Sequence, residues 1–246
     1  MRVLDMDLDF FFDDVAYYRK SSGDRLTEDY HPWDEAAVRQ FLEDRCGLCR
    51  TRPVPGKLMT HHHEAFLVRS ELIQSGVLTI PFDVVHVDAH ADLGGGFGDV
   101  GYIYLMTDVL PRPLEERMNL EIGERGLYDN NYLAFAVACR WIRRIVYVPN
   151  PRSRNDLPCG HFKNLDEGSG MLQLKACDQK GFDAICRKDV SYPFRLEPEI
   201  PFQKTLASDF RDTEGFSFAV LCQSPGFTPA ASDALIPIVM EYLEPI

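Results

Sequence analysis

Asp88, His90 and Asp92 occupy alternate positions in "VVHVDAHADLGGGFG", where an apolar run gives way to glycine. Two carboxylates and an imidazole at that spacing bring hard oxygen and nitrogen donors to one point, the donor set of a divalent cation. Residues two apart on a strand share a face, and a chain leaving the strand can curl Asp92 back toward the other two. A solvated turn tolerates the same three groups without a metal. Burying them without a cation costs several kcal/mol per uncompensated carboxylate, so burial and metal binding go together. His86 shares the face of Asp88, which makes it either a support behind the ligands or a satisfied core histidine.

The same pattern recurs in "LDMDLDFF", where Asp5, Asp7 and Asp9 share one face and Leu4, Met6 and Leu8 the other. An apolar strand ending in Asp-x-Asp also opens haloacid-dehalogenase-type phosphatases and binds metal–nucleotide complexes in glycosyltransferases. The former needs a small or β-branched residue after the second Asp, where Leu8 or Phe10 stands here. The third element is "THHHEAF", residues 60 to 66. A helix start that delivers an imidazole beside two acid-tipped strands completes a mixed nitrogen and oxygen site.

The period-two alternation at residues 2 to 11 predicts a strand, and "WDEAAVRQFLEDRCGL" predicts a helix over 33–48 that ends at Gly47. "TRPVPGK" reads as a Pro-bearing link. A helix then runs from a Thr60 cap to Gly76, and the acid-tipped strand follows. After the glycine loop 94–98 come a helical stretch near 111–119, a helix in "NNYLAFAVACRWIRR" and a strand in "IVYVPNP". Residues 150–205 carry little periodicity. "FSFAVLCQSPGFTP" reads as a buried strand and turn, with Ser224 and Thr228 as turn-makers, and "PAASDALIPIVMEYLE" as a closing amphipathic helix. Alternating helices and apolar strands predict a three-layer α/β/α arrangement with a mainly parallel sheet, as a single domain over 1–246. In such a sheet, ligand sites lie outside the carboxyl ends of the strands, where the acids fall.

A formal charge of −12 disfavours a nucleic-acid partner, since phosphate binding rests on clustered Lys and Arg. "MRVLDMDLDF" holds no uninterrupted apolar run before its acids, and no later stretch approaches the length of a membrane span, so the expectation is a cytoplasmic protein without a membrane partner. Seven scattered cysteines suggest reduced thiols. Cys46 and Cys49 in "CGLC" have redox or zinc spacing but no matched second pair.

"DAHAD", "DMDLD" and "HHHE" together resemble the arginase/ureohydrolase superfamily, which is related to the histone deacetylases. The resemblance implies Asp88 as a bridging ligand, His90 on one metal and Asp92 on the other. It implies Asp7 as the second bridge, Asp9 beside it, Asp5 in the family's serine position, and His62 as a ligand with His63 the alternate. A two-metal site with ions ~3.5–4 Å apart activates a bridging water. Four carboxylates and two imidazoles favour manganese over zinc, although iron and cobalt accept the same ligands. In ordinary arginases the Asp-x-Asp strand comes second; here it opens the chain, as in a circularly permuted ureohydrolase-like fold. The family's proline after the strand acids is replaced by Phe10–Phe12, and the pattern that holds free arginine's α-groups has no counterpart in "LGGGFGDVG".

A permuted, compact subgroup with "DLDFF", "HHEA", "DAHAD" and a late "SPGFTP" is similar to this chain over most of its length. It includes peptide arginases, which convert arginine side chains in ribosomally made precursor peptides to ornithine with release of urea. The resemblance implies an arginine-containing precursor peptide as partner and attack of a metal-bridging hydroxide on the guanidinium carbon. Asp9 or Asp92 relays a proton, Glu64 orients the guanidinium, His63 and His161 are candidate shuttles, and Asn131 with Asn130 either contacts substrate or caps a helix. The glycine loop and residues 150–205 are candidates for a peptide channel. The competing expectations are an amide hydrolase of the deacetylase type and a non-catalytic peptide-binding protein.

Overall fold

The structure is a computed structural model that describes residues 1–17, 25–26 and 29–246. Its centre is β1 (Arg2–Asp7), whose neighbours are β3 (Phe82–Asp88) on one side and β9 (Phe218–Cys222) on the other, both parallel to it. Beyond β9 lie β2 (Val54–Met59) and then β10 (Leu243–Pro245); beyond β3 lie β4 (Ile142–Pro149), β8 (Ile200–Lys204) and β5 (Met171–Leu172). The eight strands form one sheet, parallel throughout except at the β5–β8 edge. A separate antiparallel pair joins β6 (Lys175–Ala176) and β7 (Arg195–Leu196).

Alternation along the strands assigns each side chain to a face. Val3, Val84, Ile145 and Val220 pack on one face with Phe66 of α2 (Glu64–Gln74) and Leu133 of α4 (Tyr132–Ala138). Leu4, Met6, Val85, Val87 and Leu221 pack on the other with Val38 of α1 (Glu35–Gln40) and Val239 of α6 (Leu235–Met240). Helices therefore cover both faces of a largely buried parallel sheet, an α/β arrangement compatible with three layers. The described residues also include α3 (Val100–Tyr104) and α5 (Gln179–Cys186). None of the described helices is long and apolar enough to cross a membrane.

Several expected elements differ. "TRPVPGK" is largely strand rather than link: pairing with β9 begins at Gly56, after Pro55, so the missing proline N–H falls before that ladder starts. A Cβ at Gly56 would lie 2.9 Å from Ala219 O, so glycine there permits the close approach of strands. The helix expected over 33–48 is α1, capped by Asp34 and continued by a π-helical turn, Phe41–Arg45. Thr60 does not cap α2, because residues 60–63 form a turn that puts His63 at the cap position. The expected helix near 111–119 is only the 3₁₀ turn Leu114–Glu116. The helical segment lies earlier, where Asp99 caps α3. β4 starts earlier than "IVYVP" suggests, at Ile142, so α4 is correspondingly shorter. The closing helix stops at Met240, and the chain returns to the sheet as β10.

Candidate metal centre

The carboxyl ends of β1, β3, β9 and β2 lie side by side, with Asp7 in register with Cys222 and Cys222 with Met59. β1 and β3 therefore both end on an aspartate, Asp7 and Asp88. Beyond Asp7 the chain enters a 3₁₀ turn, Leu8–Phe11, so Asp9 arrives from a turn rather than from the expected strand face. Beyond Asp88 the chain curls through Asp92, which adopts the left-handed φ of 48°. His62 comes from the turn after β2. Asp7, Asp9, His62, Asp88 and Asp92 are all buried, with His90 partly so.

Five of the six supply donor atoms to two groups that share Asp88, namely Asp9, Asp88 and His90, and His62, Asp88 and Asp92, while Asp7 groups with His62 and Cys222. His62 Nδ1 lies 3.1 Å from Asp7 Oδ2, 3.1 Å from Asp88 Oδ2 and 2.9 Å from Asp92 Oδ2. His90 Nδ1 lies 2.9 Å from Asp9 Oδ2 and 3.7 Å from Asp88 Oδ1. Backbone amides hold the acids in place: Asp9 N–H donates to Asp7 Oδ1 (2.9 Å), Ala89 N–H to Asp9 Oδ1 (3.2 Å) and His90 N–H to Asp88 Oδ1 (2.7 Å). Ser224 Oγ also donates to Asp7 Oδ2.

These donors suit a metal on two grounds. Buried Asp88 Oδ2 accepts no hydrogen bond, despite the nearby imidazole, so it retains a free lone pair. The electrostatics also suit a cation. Burial, reinforced by the charges of Asp7 and Asp88, pushes the Asp9 carboxyl well above its usual range. Burial and Asp88 do the same to Asp92. Burial disfavours a charged imidazole at His62 and His90, yet the surrounding groups, notably Asp5 at His62 and Asp9 at His90, pull both upward. Groups so strained toward protonation are those a divalent ion relieves. The buried Asp and His clusters can hold a metal ion.

No family model matches the chain, and no curated protein sequence matches it.

The centre opens into a cavity of about 470 Å³, whose wall adds Tyr17, Gly94, Gly95, Tyr128, Asp129, Asn130, Asp156 and Phe227 to the metal-type residues. The glycine loop is tethered. Gly94 N–H donates to Asn130 O (2.7 Å), and Asp99 Oδ2 accepts from both Gly95 N–H (2.8 Å) and Asn130 Nδ2 (2.9 Å). From the irregular 150–205 region, Asp156 is the cavity-lining residue.

Other expected site residues fall outside this wall. Glu64 turns back to accept from His61 N–H (3.2 Å), so helix capping occupies its carboxylate. Asn131 is buried and uses both ends of its amide on the loop, accepting from Tyr128 N–H and donating to Gly126 O, each at 2.8 Å. His161 lies buried against Tyr102, its centroid 4.5 Å away, and burial with the nearby Lys175 charge pushes its pKa down to about 3. His63 sits behind the wall, with Nδ1 2.6 Å from Asp129 Oδ1. His86 holds the loop of the site through its contact with His90 O (3.0 Å), which makes it a satisfied buried histidine that also positions a ligand-bearing segment. Thr228 Oγ1 donates to Gln223 O and Ser224 O, each at 2.9 Å, the turn-making use expected of it.

Four residues of this region lie outside the sequence expectations: Asp129, Asp156, Cys222 and Arg69. Asp129 stands in a loop beside Asn130 and Asn131, with no pattern of its own to mark it. Asp156 stands in an aperiodic stretch with no local signal. Cys222 shares a donor group with Asp7 and His62, and burial and the Asp7 charge push its thiol well upward. The seven cysteines are free thiols, and Cys46 and Cys49 lie outside the cavity wall.

Proposed function

We propose that this chain is a manganese-dependent hydrolase that binds two ions and converts arginine side chains in a peptide to ornithine and urea. The observation that carries the reading is the sharing of Asp88 between two Asp/His donor groups at the floor of an acidic, aromatic-walled cavity. His62, Asp92 and Asp7 would hold one ion, and His90 and Asp9 the other, with Asp88 common to both. When bound, such a pair supplies an activated water for attack on the guanidinium carbon.

The remaining wall suits the cationic head of the substrate. Asp129 and Asp156 are carboxylates beyond the six donors, able to accept charge-assisted hydrogen bonds from a guanidinium. Tyr17, Tyr128 and Phe227 offer aromatic surface to the same cation and its aliphatic stem. At Gly94 and Gly95 the wall is backbone, since a Cβ there would meet Tyr102 (3.2 Å) or Asp99 (3.3 Å). Hydrolysis breaks the bond between the guanidinium carbon and the side-chain nitrogen, and the departing amine takes up a proton. The His63 imidazole, against Asp129 Oδ1, would supply it through that carboxylate; Asp9 and Asp92 are the alternatives within the donor set.

The test is incubation of metal-stripped protein, with and without Mn2+, against free arginine, arginine-containing peptides and acetyl-lysine peptides. Urea release and peptide mass are the readouts. The expected result is Mn2+-dependent urea with the mass loss of an arginine-to-ornithine change in peptides, abolished in Asp88→Asn. Deacetylation without urea would replace this reading with amide hydrolysis, and turnover of free arginine alone would remove the peptide part.

A further inference from the structure

Of the acids in "DMDLD", Asp7 and Asp9 face Nδ1 of His62 and of His90, whereas Asp5 lies on the Nε2 side of His62. It points to the same face of β1 as Asp7, one step deeper in the sheet, and is fully buried. Its two oxygens serve different partners. Oδ2 accepts from Arg69 Nη2 and from the Tyr132 hydroxyl (2.6 Å), while Oδ1 faces His62 Nε2 at 3.0 Å. Arg69 projects from α2, the helix that begins directly after the His62 turn, and Tyr132 is the first residue of α4. Three elements therefore converge on one carboxylate behind the metal-type histidine. His86 Nδ1 completes its surroundings at 3.9 Å from Oδ2.

This arrangement determines which imidazole nitrogen faces the acids. The Arg69 guanidinium is a donor only, so Asp5 Oδ2 accepts from it. With Oδ2 taken by two donors, Oδ1 is the oxygen that accepts from His62 Nε2–H, which leaves the Nδ1 lone pair directed at Asp7, Asp88 and Asp92. His90 is handled in parallel by a neutral group. Its Nε2 lies 2.9 Å from Ala16 O, a carbonyl that can only accept, and its Nδ1 faces Asp9. Arg69 also cancels the charge of Asp5, so the fifth acid adds no net negative charge to the four around the centre.

We infer that Asp5 is a positioning residue: held in place by Arg69 and the Tyr132 hydroxyl, it fixes the His62 ring so that Nδ1 is presented as a metal ligand. The inference rests on the metal reading of the site. Outer partners of metal-bound histidines of this kind typically change metal affinity ~10–100-fold when removed.

The experiment compares Mn2+ binding by metal-stripped wild-type protein and the double variant Asp5→Ala/Arg69→Met, which removes the acceptor without orphaning the buried guanidinium. The expected result is a 10–100-fold weakening of one binding step, with circular dichroism showing the fold retained. Affinity within twofold of wild type overturns the inference while leaving the metal site standing. A second measurement needs no substitution. In zinc-loaded wild-type protein labelled with 15N-histidine, His62 should show a metal-bound Nδ1 and a protonated Nε2. Zinc on Nε2, or a proton on Nδ1, overturns it whatever the variant does. Wild-type protein that binds neither Mn2+ nor Zn2+ removes the metal reading and this inference together.

Discussion

Asp129 and Asp156 do different work from the six donor residues, and their surroundings show why. Asp156 spends Oδ2 on Ala91 N–H (2.9 Å), while its buried Oδ1 has no hydrogen-bond partner, and burial pushes its carboxyl upward. An arriving cation would reverse that shift. Burial also opposes ionisation of Asp129, but the hydrogen bond and charge of His63 outweigh it and hold this carboxyl below the usual range. Asp129→Asn and Asp156→Asn should each raise KM for an arginine peptide by about 10–100-fold, the worth of one charge-assisted hydrogen bond, with Mn2+ affinity kept. Steady-state kinetics and metal titration on the same samples check this; an unchanged KM would remove the residue from substrate recognition. The sequence made the metal-type residues visible because acids at period two on an apolar strand have few bland explanations. It hid Asp129 and Asp156 because each is a single acid in a loop, brought to the cavity only by tertiary folding.

Elements were legible where hydrophobic period and length agreed, as in β1, β3, β9 and the middle of α2. They were misread where backbone chemistry argued against the outcome. Pro53, Pro55 and Gly56 read as a link because proline removes a ladder donor; yet pairing with β9 begins only at Gly56, and toward β10 the bonds run from Val54 N–H to Tyr242 O and from Ile246 N–H to Gly56 O, so Pro55 is not called on to donate. The α4 helix is anchored in a way that no local pattern reveals. Buried Arg117 donates to Ala138 O at its carboxyl end (2.8 Å) and to Leu110 O (2.9 Å), and Glu197, just after β7, receives Arg117 Nη2 at 2.6 Å and Arg140 Nη2 at 3.0 Å. Glu197→Gln leaves the Arg117 charge buried without its counter-ion, which should cost about 3 kcal/mol at pH 7 and lower Tm by roughly 6–12 °C. Burial would raise the Glu197 carboxyl, but its hydrogen bonds and charge interactions with Arg117 and Arg140 prevail and lower it. A lowered folded pKa gives stability that is present above the unfolded value of about 4.3 and lost as pH falls through the folded value. Urea unfolding should therefore show the full wild-type-to-variant gap at pH 7 and a shrinking gap below about pH 4. A gap of equal size at both would assign the loss to packing.

Across the whole molecule, the formal charge of −12 matters less than the concentration of acids at one end of the sheet. Asp9, Asp92, His62 and His90 all have folded pKa values shifted upward in the absence of a cation. Each binds protons in the folded state that it would release on unfolding, so its contribution is complete below the unfolded pKa, about 3.9 for Asp and 6.5 for His, and is lost as pH rises through the folded value. Asp5 and Asp88 shift the opposite way. Burial raises them, but Arg69 at Asp5 and His86 at Asp88 lead the groups that hold them low, so both are already fully ionised and stabilising at pH 5. His86 and His161, which burial holds below the ordinary imidazole value, act the other way up to about pH 6.5, so above that pH the upward-shifted groups set the sign, and metal-stripped protein should lose stability as pH rises from about 6.5 to 8. A bound divalent ion takes the place of those protons, and its binding strengthens as they leave. At pH 7.5, Mn2+ at 100 times its Kd should stabilise the fold by about 2.7 kcal/mol per ion, or roughly 5–11 °C in Tm. The same addition at pH 5 should do much less. Thermal scans with EDTA and with Mn2+ at both pH values measure this directly, and a Tm that ignores Mn2+ at pH 7.5 would mean that these acids are compensated by something other than a metal.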